Sequence, residues 1–134
     1  STICVLGSGF FNYFPVEHTE VFNEISKKGL LVSEHPPEFK GTAISLASRN
    51  RITSGISDSV LVVTSQNKGG ALRQMEIAND QKIPIFAPKL EYNMAPNEGI
   101  RNHMVKYRIQ EVDGIKPILN EIARLKPFFL QAKI

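Results

Sequence analysis

Val60-Leu61-Val62-Val63, Asn67-Lys68-Gly69-Gly70, Ala71 to Gln81 and Ile83-Pro84-Ile85-Phe86-Ala87 follow one another in mid-chain. The first is an apolar run of strand length, expected to be buried on both faces of a parallel sheet. The second is a tight turn, and the third reads as a helix. The fourth is another strand, with Pro84 near its start, where a missing N–H is tolerated. Strand, helix, strand in that order asks for a parallel pair joined by a right-handed crossover.

The same alternation extends in both directions. Toward the start, Ile3-Cys4-Val5-Leu6 is a strand stopped by Gly7-Ser8-Gly9. Glu17 to Lys28 is a helix with Val21, Phe22 and Ile25 on one face, and Gly29 stands where a C-terminal cap belongs. Leu30-Leu31-Val32-Ser33 is a strand halted by His35-Pro36-Pro37, residues 38–47 read as loop, and Ser48 to Ile56 as helix. Toward the end come a loop from Leu90 to Glu98, a helix from Gly99 to Tyr107 and a strand from Ile109 to Val112. A helix from Asp113 to Leu125 follows, capped by Asp113 and ended by Pro127. The expected fold is α/β: a three-layer, Rossmann-like parallel sheet with helices on both faces. Residues 1–126 form the expected domain, and residues 127–134, with Phe128-Phe129-Leu130, an apolar tail.

Composition narrows the class. A chain of 134 residues, 42% hydrophobic and 22% charged, suits one folded core. Lone Cys4 leaves no intrachain disulfide and no cysteine-rich zinc site. No apolar run approaches the roughly 20 residues of a membrane helix, and Ser1 to Gly9 lacks a basic leader segment. The expectation is a soluble cytoplasmic protein with no membrane partner. Net charge is +3; residues 1–66 hold five basic and six acidic side chains, and residues 67–134 eleven and seven. That bias permits a phosphate-bearing partner without requiring one.

Ligands of open parallel sheets bind beyond the carboxyl ends of strands, which singles out three stretches. Gly7, Ser8 and Gly9 precede Phe10-Phe11-Asn12-Tyr13-Phe14, where glycines admit a phosphate and an exposed ring can stack on a base. Phe11, Tyr13 and Phe14 are the stacking candidates; the alternative is that the glycines only turn the chain and the rings pack beneath it. Lys68, Gly69, Gly70 and Ala71 lie between a strand and a helix start, where free N–H groups and the helix dipole favour an anion. The order of a P-loop and the G-x-G-x-x-G fingerprint are both missing there. Arg49, Asn50 and Arg51 offer guanidinium forks that match phosphate oxygens, or else form a solvated helix start. His18, His35 and His103 lack metal-ligand spacing, and Ser8, Ser33, Ser54 and Ser65 lack a nucleophile elbow. Glu34 and Glu76 are isolated carboxylates, so no catalytic or metal constellation is visible.

Taken in order, these segments resemble the DNA-processing protein A (DprA/Smf) family. The resemblance is carried by Val5-Leu6-Gly7-Ser8-Gly9, Phe14-Pro15, Gly29-Leu30-Leu31-Val32-Ser33-Glu34-His35-Pro36-Pro37, Arg49-Asn50-Arg51-Ile52-Thr53-Ser54-Gly55 and Lys68-Gly69-Gly70-Ala71-Leu72. It runs collinearly over about residues 2–122. It implies a Rossmann-like domain that binds single-stranded DNA without a cofactor and loads the recombinase RecA onto incoming DNA during transformation. It also implies a homodimer. The residues themselves, with no catalytic constellation, read as a phosphate binder and not as an enzyme. Arg49, Asn50 and Arg51 match the family's arginine motif, Lys68 to Gly70 its glycine loop, and Gly7 and Gly9 its first loop. Family domains carry earlier strands before the position of Ile3, so a partial domain is expected, whose Val5 strand edge is covered by a partner segment or subunit. Departures such as Leu46-Ala47-Ser48 and Ala87-Pro88-Lys89 bear more on DNA binding than on fold.

Two other classes compete. Gly69-Gly70 with Glu76 downstream loosely resembles the loop of lysine-decarboxylase-like phosphoribohydrolases, which implies a nucleotide-binding enzyme or sensor. The apolar tail suits a degenerate α/β module kept for protein contacts.

Overall fold

β1 (Ile3–Val5) and β2 (Leu30–Val32) run parallel, with Cys4 opposite Leu31. β3 (Val60–Leu61), β4 (Ile85–Pro88) and β5 (Gln110–Val112) form a second parallel ladder in that order. The computed structural model describes residues 1–89 and 97–131, with side chains through residue 125. The chain divides into two compact units, residues 1–53 and 54–134, each with its own ladder.

In the first unit, α1 (Thr19–Lys28) joins β1 to β2. It begins after a short 3-10 turn at Val16–His18, two residues later than Glu17. Phe22 is its buried residue, with the rings of Tyr13 (5.2 Å) and His18 (6.4 Å) against it. Val21, expected on the same face, is 53% exposed. Two short helices, α2 (Ala43–Ser48) and α3 (Asn50–Gly55), replace the single helix expected from Ser48 to Ile56. α2 starts inside the stretch read as loop because Thr42 caps it: Ser45 N–H donates to Thr42 Oγ1 (3.1 Å), and Thr42 N–H to Ser45 Oγ (2.8 Å). Among the described residues β1 pairs with β2 alone.

In the second unit, α4 (Gly70–Asp80) links β3 to β4, and α5 (Glu98–His103) leads toward β5. The residues of β4 face alternately two ways. Ile85 and Ala87 pack with Val62, Met75, Ala78, Ile100, Tyr107 and Ile109, while Phe86 packs with Val112 and Ile118 on the other side. Apolar side chains from helices therefore cover both faces of β4. The Val60 to Val63 run differs from expectation: β3 covers only its first two residues, Leu61 is 47% exposed, and Val63, beyond the strand, is 58% exposed. Ile118 of α6 (Lys116–Gln131) packs with Phe86 and Val112, and among the described residues Leu61 of β3 stays about half exposed.

α6 starts at Lys116 instead of Asp113, because Gly114 takes a left-handed turn (φ 86°) between β5 and the helix. Asp113 is not its cap and lies 3.8 Å from the Lys89 ammonium. The helix continues through Pro127, where a stop is expected: a proline forfeits one hydrogen bond yet keeps helical φ. The expected loop from Leu90 falls outside the described residues up to residue 96, as do the side chains of Phe128, Phe129 and Leu130. Glu98, its expected last residue, opens α5 instead. The class observed is the one expected, mixed α/β with parallel strands and intervening helices.

Candidate functional site

Gly7, Ser8 and Gly9 extend β1 at its carboxyl end, and all three are buried. Leu6 N–H donates to Val32 O (2.8 Å), Gly9 N–H to Phe39 O (3.0 Å) and Phe11 N–H to Pro37 O (2.9 Å), tying the loop to the segment that follows β2. Ser33 Oγ donates to Ser8 O (2.7 Å), and Ser45 Oγ to Gly7 O (2.5 Å). The space glycine leaves is filled by protein: a Cβ on Gly9 would run into the carbonyl oxygens of Pro36 and Pro37, and one on Gly7 would meet Leu46 at 3.0 Å. These glycines are packing devices that let three chain segments converge. Ser8 Oγ is fully buried with no hydrogen-bond partner among the described residues.

The aromatic stretch divides sharply. Phe11 is 75% exposed, Tyr13 leans on Phe22, and Phe14 lies against Gly41. Phe11, Asn12, Phe14, Val16, Lys40 and Gly41 line an open groove of about 510 Å³. Lys40, which sequence reading passed over inside a featureless loop, brings an exposed ammonium to that groove. Its only signal in the chain was a lone cation beside Gly41.

The two arginines of Arg49-Asn50-Arg51 have different surroundings. Arg49 Nη1 donates to Thr53 Oγ1 (3.4 Å), and its Nε is buried without a partner. Burial pushes the Cys4 thiol pKa up, and the Arg49 charge partly offsets that, which places Arg49 near β1. Arg51 is more exposed and forms an ion pair with Glu34, joining the Ser-Glu-His-Pro-Pro stretch after β2 to the start of α3. Asn50 is half-buried.

In the second unit, Lys68, Gly69 and Gly70 stand exposed at the start of α4. Gly69 takes φ 119°, which a side chain tolerates poorly, and caps the helix without a side-chain hydrogen bond. Nothing lies within 4 Å of a Cβ built on either glycine. The preceding segment is fixed to α5: Gly99 N–H donates to Ser65 O (2.9 Å), Ser65 N–H to Asn97 Oδ1 (3.3 Å) and Asn102 Nδ2 to Asn67 Oδ1 (2.8 Å). The result is an open helix N-terminus with a lysine beside it, able to receive an anion. Ala71, one residue on, is half-buried and packs against the core.

The two isolated carboxylates both have partners. Glu34 is taken by Arg51, and Glu76 accepts from Arg73 Nη1 (2.9 Å) and Tyr107 Oη (3.2 Å). The Arg73 hydrogen bond holds the Glu76 carboxyl below its ordinary pKa; burial opposes it, and the Tyr107 hydrogen bond adds to the lowering. A carboxylate so held is a poor general base near neutral pH. Among the described residues no group of three or more His, Cys, Asp or Glu could hold a metal, and no helix is long and apolar enough to cross a membrane.

The family model of DNA recombination-mediator protein A matches residues 1–123. The DNA processing protein DprA of Bacillus subtilis is 38% identical over 86 residues, 64% of this chain and 29% of that protein. Protein Smf of Escherichia coli is 36% identical over 87 residues, 64% of this chain and 23% of its own length. Among solved structures, DNA processing protein A of Helicobacter pylori, described for its single-stranded DNA binding mode, superposes with a TM-score of 0.79 at 23% identity. It covers 92% of this chain and 56% of that one. DprA of Streptococcus pneumoniae superposes with a TM-score of 0.73 at 23% identity, over 90% of this chain and 42% of that one. This chain thus spans less than a third of each of these two curated relatives.

Proposed function

The chain belongs to the DNA recombination-mediator protein A family, and on that premise we propose that it binds single-stranded DNA as part of a DNA-processing protein. Phe11 carries the reading: a large aromatic ring, 75% exposed, on the rim of a groove that also bears Lys40. Burial would stabilise such a ring, so its exposure on a strand-end loop fits a platform for a base. In the first unit Arg51 is the phosphate contact and Asn50 hydrogen-bonds the strand; in the second unit Lys68 offers a separate phosphate contact, with the backbone N–H groups of Gly69, Gly70 and Ala71 beside it. Gly7, Ser8 and Gly9 fix the loop that carries Phe11 by packing and backbone hydrogen bonds, Arg49 lies near β1, and Tyr13 and Phe14 line the same groove as Phe11.

Protection of single strands, loading of RecA and homodimerisation follow from the same premise. The exposed apolar side chains Leu61, Val63, Ile115 and Leu119 of the second unit are surface of the kind a second copy or a protein partner covers. No catalytic step is assigned. The phosphoribohydrolase reading is disfavoured because Glu76 is committed to Arg73 and Tyr107.

The test is fluorescence anisotropy of a labelled oligo-dT of about 20 nucleotides at two salt concentrations. Binding that weakens steeply with salt and is reduced in both Phe11→Ala and Arg51→Ala supports the reading. Binding that ignores salt, or no binding at low salt by a folded chain, overturns it.

A further inference from the structure

Two helical segments of the second unit end alike, and each places a cation where the backbone turns left-handed. At the end of α4, Gln81 N–H donates to Ile77 O (3.0 Å), Lys82 N–H to Asn79 O (3.0 Å) and Ile83 N–H to Ala78 O (2.8 Å). The helical turn after α5 repeats the set: Tyr107 to His103 O (2.9 Å), Arg108 to Val105 O (3.3 Å) and Ile109 to Met104 O (2.9 Å). The long-range bond in each set is the Schellman pattern, whose left-handed position favours glycine because a Cβ there is crowded. Lys82 (φ 60°) and Arg108 (φ 51°) are the non-glycine residues with positive φ among those described.

Both residues line one cavity of about 250 Å³, together with Asn79, Gln110 and apolar residues such as Ile83 and Leu125. No carboxylate lines it, and neither cation joins an ion pair among the described residues. Helix C-termini attract cations and oppose anions, so a phosphate here depends on two full positive charges outweighing the partial negative charge of the helix ends. The attraction acts on any side chain of the last turn and does not call for the left-handed position. Two strained choices of the same charge therefore meet at one pocket. It lies at the N-terminal ends of β4 and β5, the opposite end of this ladder from the Lys68–Gly70 turn after β3.

We propose that this cavity binds a phosphate group, with the Arg108 fork and the Lys82 ammonium on its oxygens and the Asn79 and Gln110 amides as further donors. The phosphate of a nucleic-acid strand and that of a free small molecule share this chemistry. The site is independent of the groove beside Phe11 and does not rest on it.

The test is amide NMR of the full chain titrated with inorganic phosphate and, separately, with dT of about 20 nucleotides, repeated on the Lys82→Gly/Arg108→Gly double variant. Glycine retains the turn, so the variant is expected to fold with a Tm at or above that of the parent. Phosphate should shift the amides of residues 82, 108 and 110, with apparent Kd raised at least about tenfold in the variant. Shifts there by oligo-dT alone, lost in the variant while those at Phe11 persist, would support the site and assign the phosphate to a strand. Silence of these amides toward both probes, or equal binding by parent and variant, overturns the proposal and leaves the two cations as helix ends only. Arg51→Ala is expected to leave the phosphate shifts intact, so a failure at the groove reads separately.

Discussion

Arg51 reaches across from α3 to form an ion pair with Glu34, which follows β2, seventeen positions earlier in the chain. The carboxylate neutralises a guanidinium that is more than half exposed. In water such a pair contributes at most about 1 kcal/mol of stability, so its effect on charge outweighs its effect on fold. Glu34→Gln is therefore expected to leave Tm within a few degrees of the parent and to tighten oligo-dT binding by about two- to fivefold at low salt, while Arg51→Ala weakens it. Arg51→Ala should also reduce the salt slope by about 0.7, the single-strand value for one phosphate. Equal, weakened binding in both variants would mean that the pair shapes the loop and that neither residue touches the strand.

The two glycine loops are expected to respond oppositely to alanine. Gly9→Ala pushes a methyl into the carbonyls of Pro36 and Pro37, with backbone on both sides and no flexible side chain to yield. It should destabilise the first unit by about 3 kcal/mol or more. Gly70→Ala meets open space at the start of α4, and there alanine favours the helix by up to about 1 kcal/mol. Urea unfolding of the two variants checks both signs.

Phe11 and Tyr13 are two positions apart and should separate function from stability. Removing the exposed Phe11 ring is expected to cost about 1–3 kcal/mol of oligo-dT binding with Tm unchanged. Tyr13→Ala removes the ring packed 5.2 Å from Phe22 and should lower Tm by several degrees. Anisotropy and thermal melts on the same pair of proteins give both numbers. Loss of binding in Tyr13→Ala alone would move the stacking role off Phe11.

The order of strands and helices was legible because apolar runs and helical spacing alternate along the chain, and local sequence decides that much. Boundaries failed where a single residue overrode the pattern. Thr42 starts a helix with Ser45 as its reciprocal partner in place of the usual Glu or Gln, and Gly114 delays α6 by a left-handed turn. Burial of Val60 to Val63 on both faces failed because, among the described residues, the apolar cover of β4 leaves Leu61 and Val63 about half exposed. The site was legible as residue types and not as geometry. That Phe11 is exposed while Tyr13 packs is set by α1, and that Glu34 holds Arg51 is set by where β2 and α3 meet. Neither follows from spacing along the chain.

Glu76, paired with Arg73 within α4, ties that helix to the turn after α5 by accepting from the hydroxyl of the buried Tyr107, and its carboxyl titrates below its ordinary value. A group with a lowered folded pKa contributes stability that is fully present above its unfolded pKa and is lost as pH falls through the folded one. The network should thus act at neutral pH and fade below about pH 4, where the ordinary carboxyl begins to protonate. Glu76→Gln is expected to lower Tm modestly at pH 7, with the gap to the parent closing as pH falls below the ordinary carboxylate range and through the lowered folded value. The hydroxyl of Tyr107 keeps an amide oxygen as acceptor in that variant, so the fold survives for the comparison. Since no role on DNA is assigned to Glu76, oligo-dT affinity at pH 7 should be unchanged; a base-release activity on nucleoside monophosphates abolished by the same substitution would revive the enzyme reading instead.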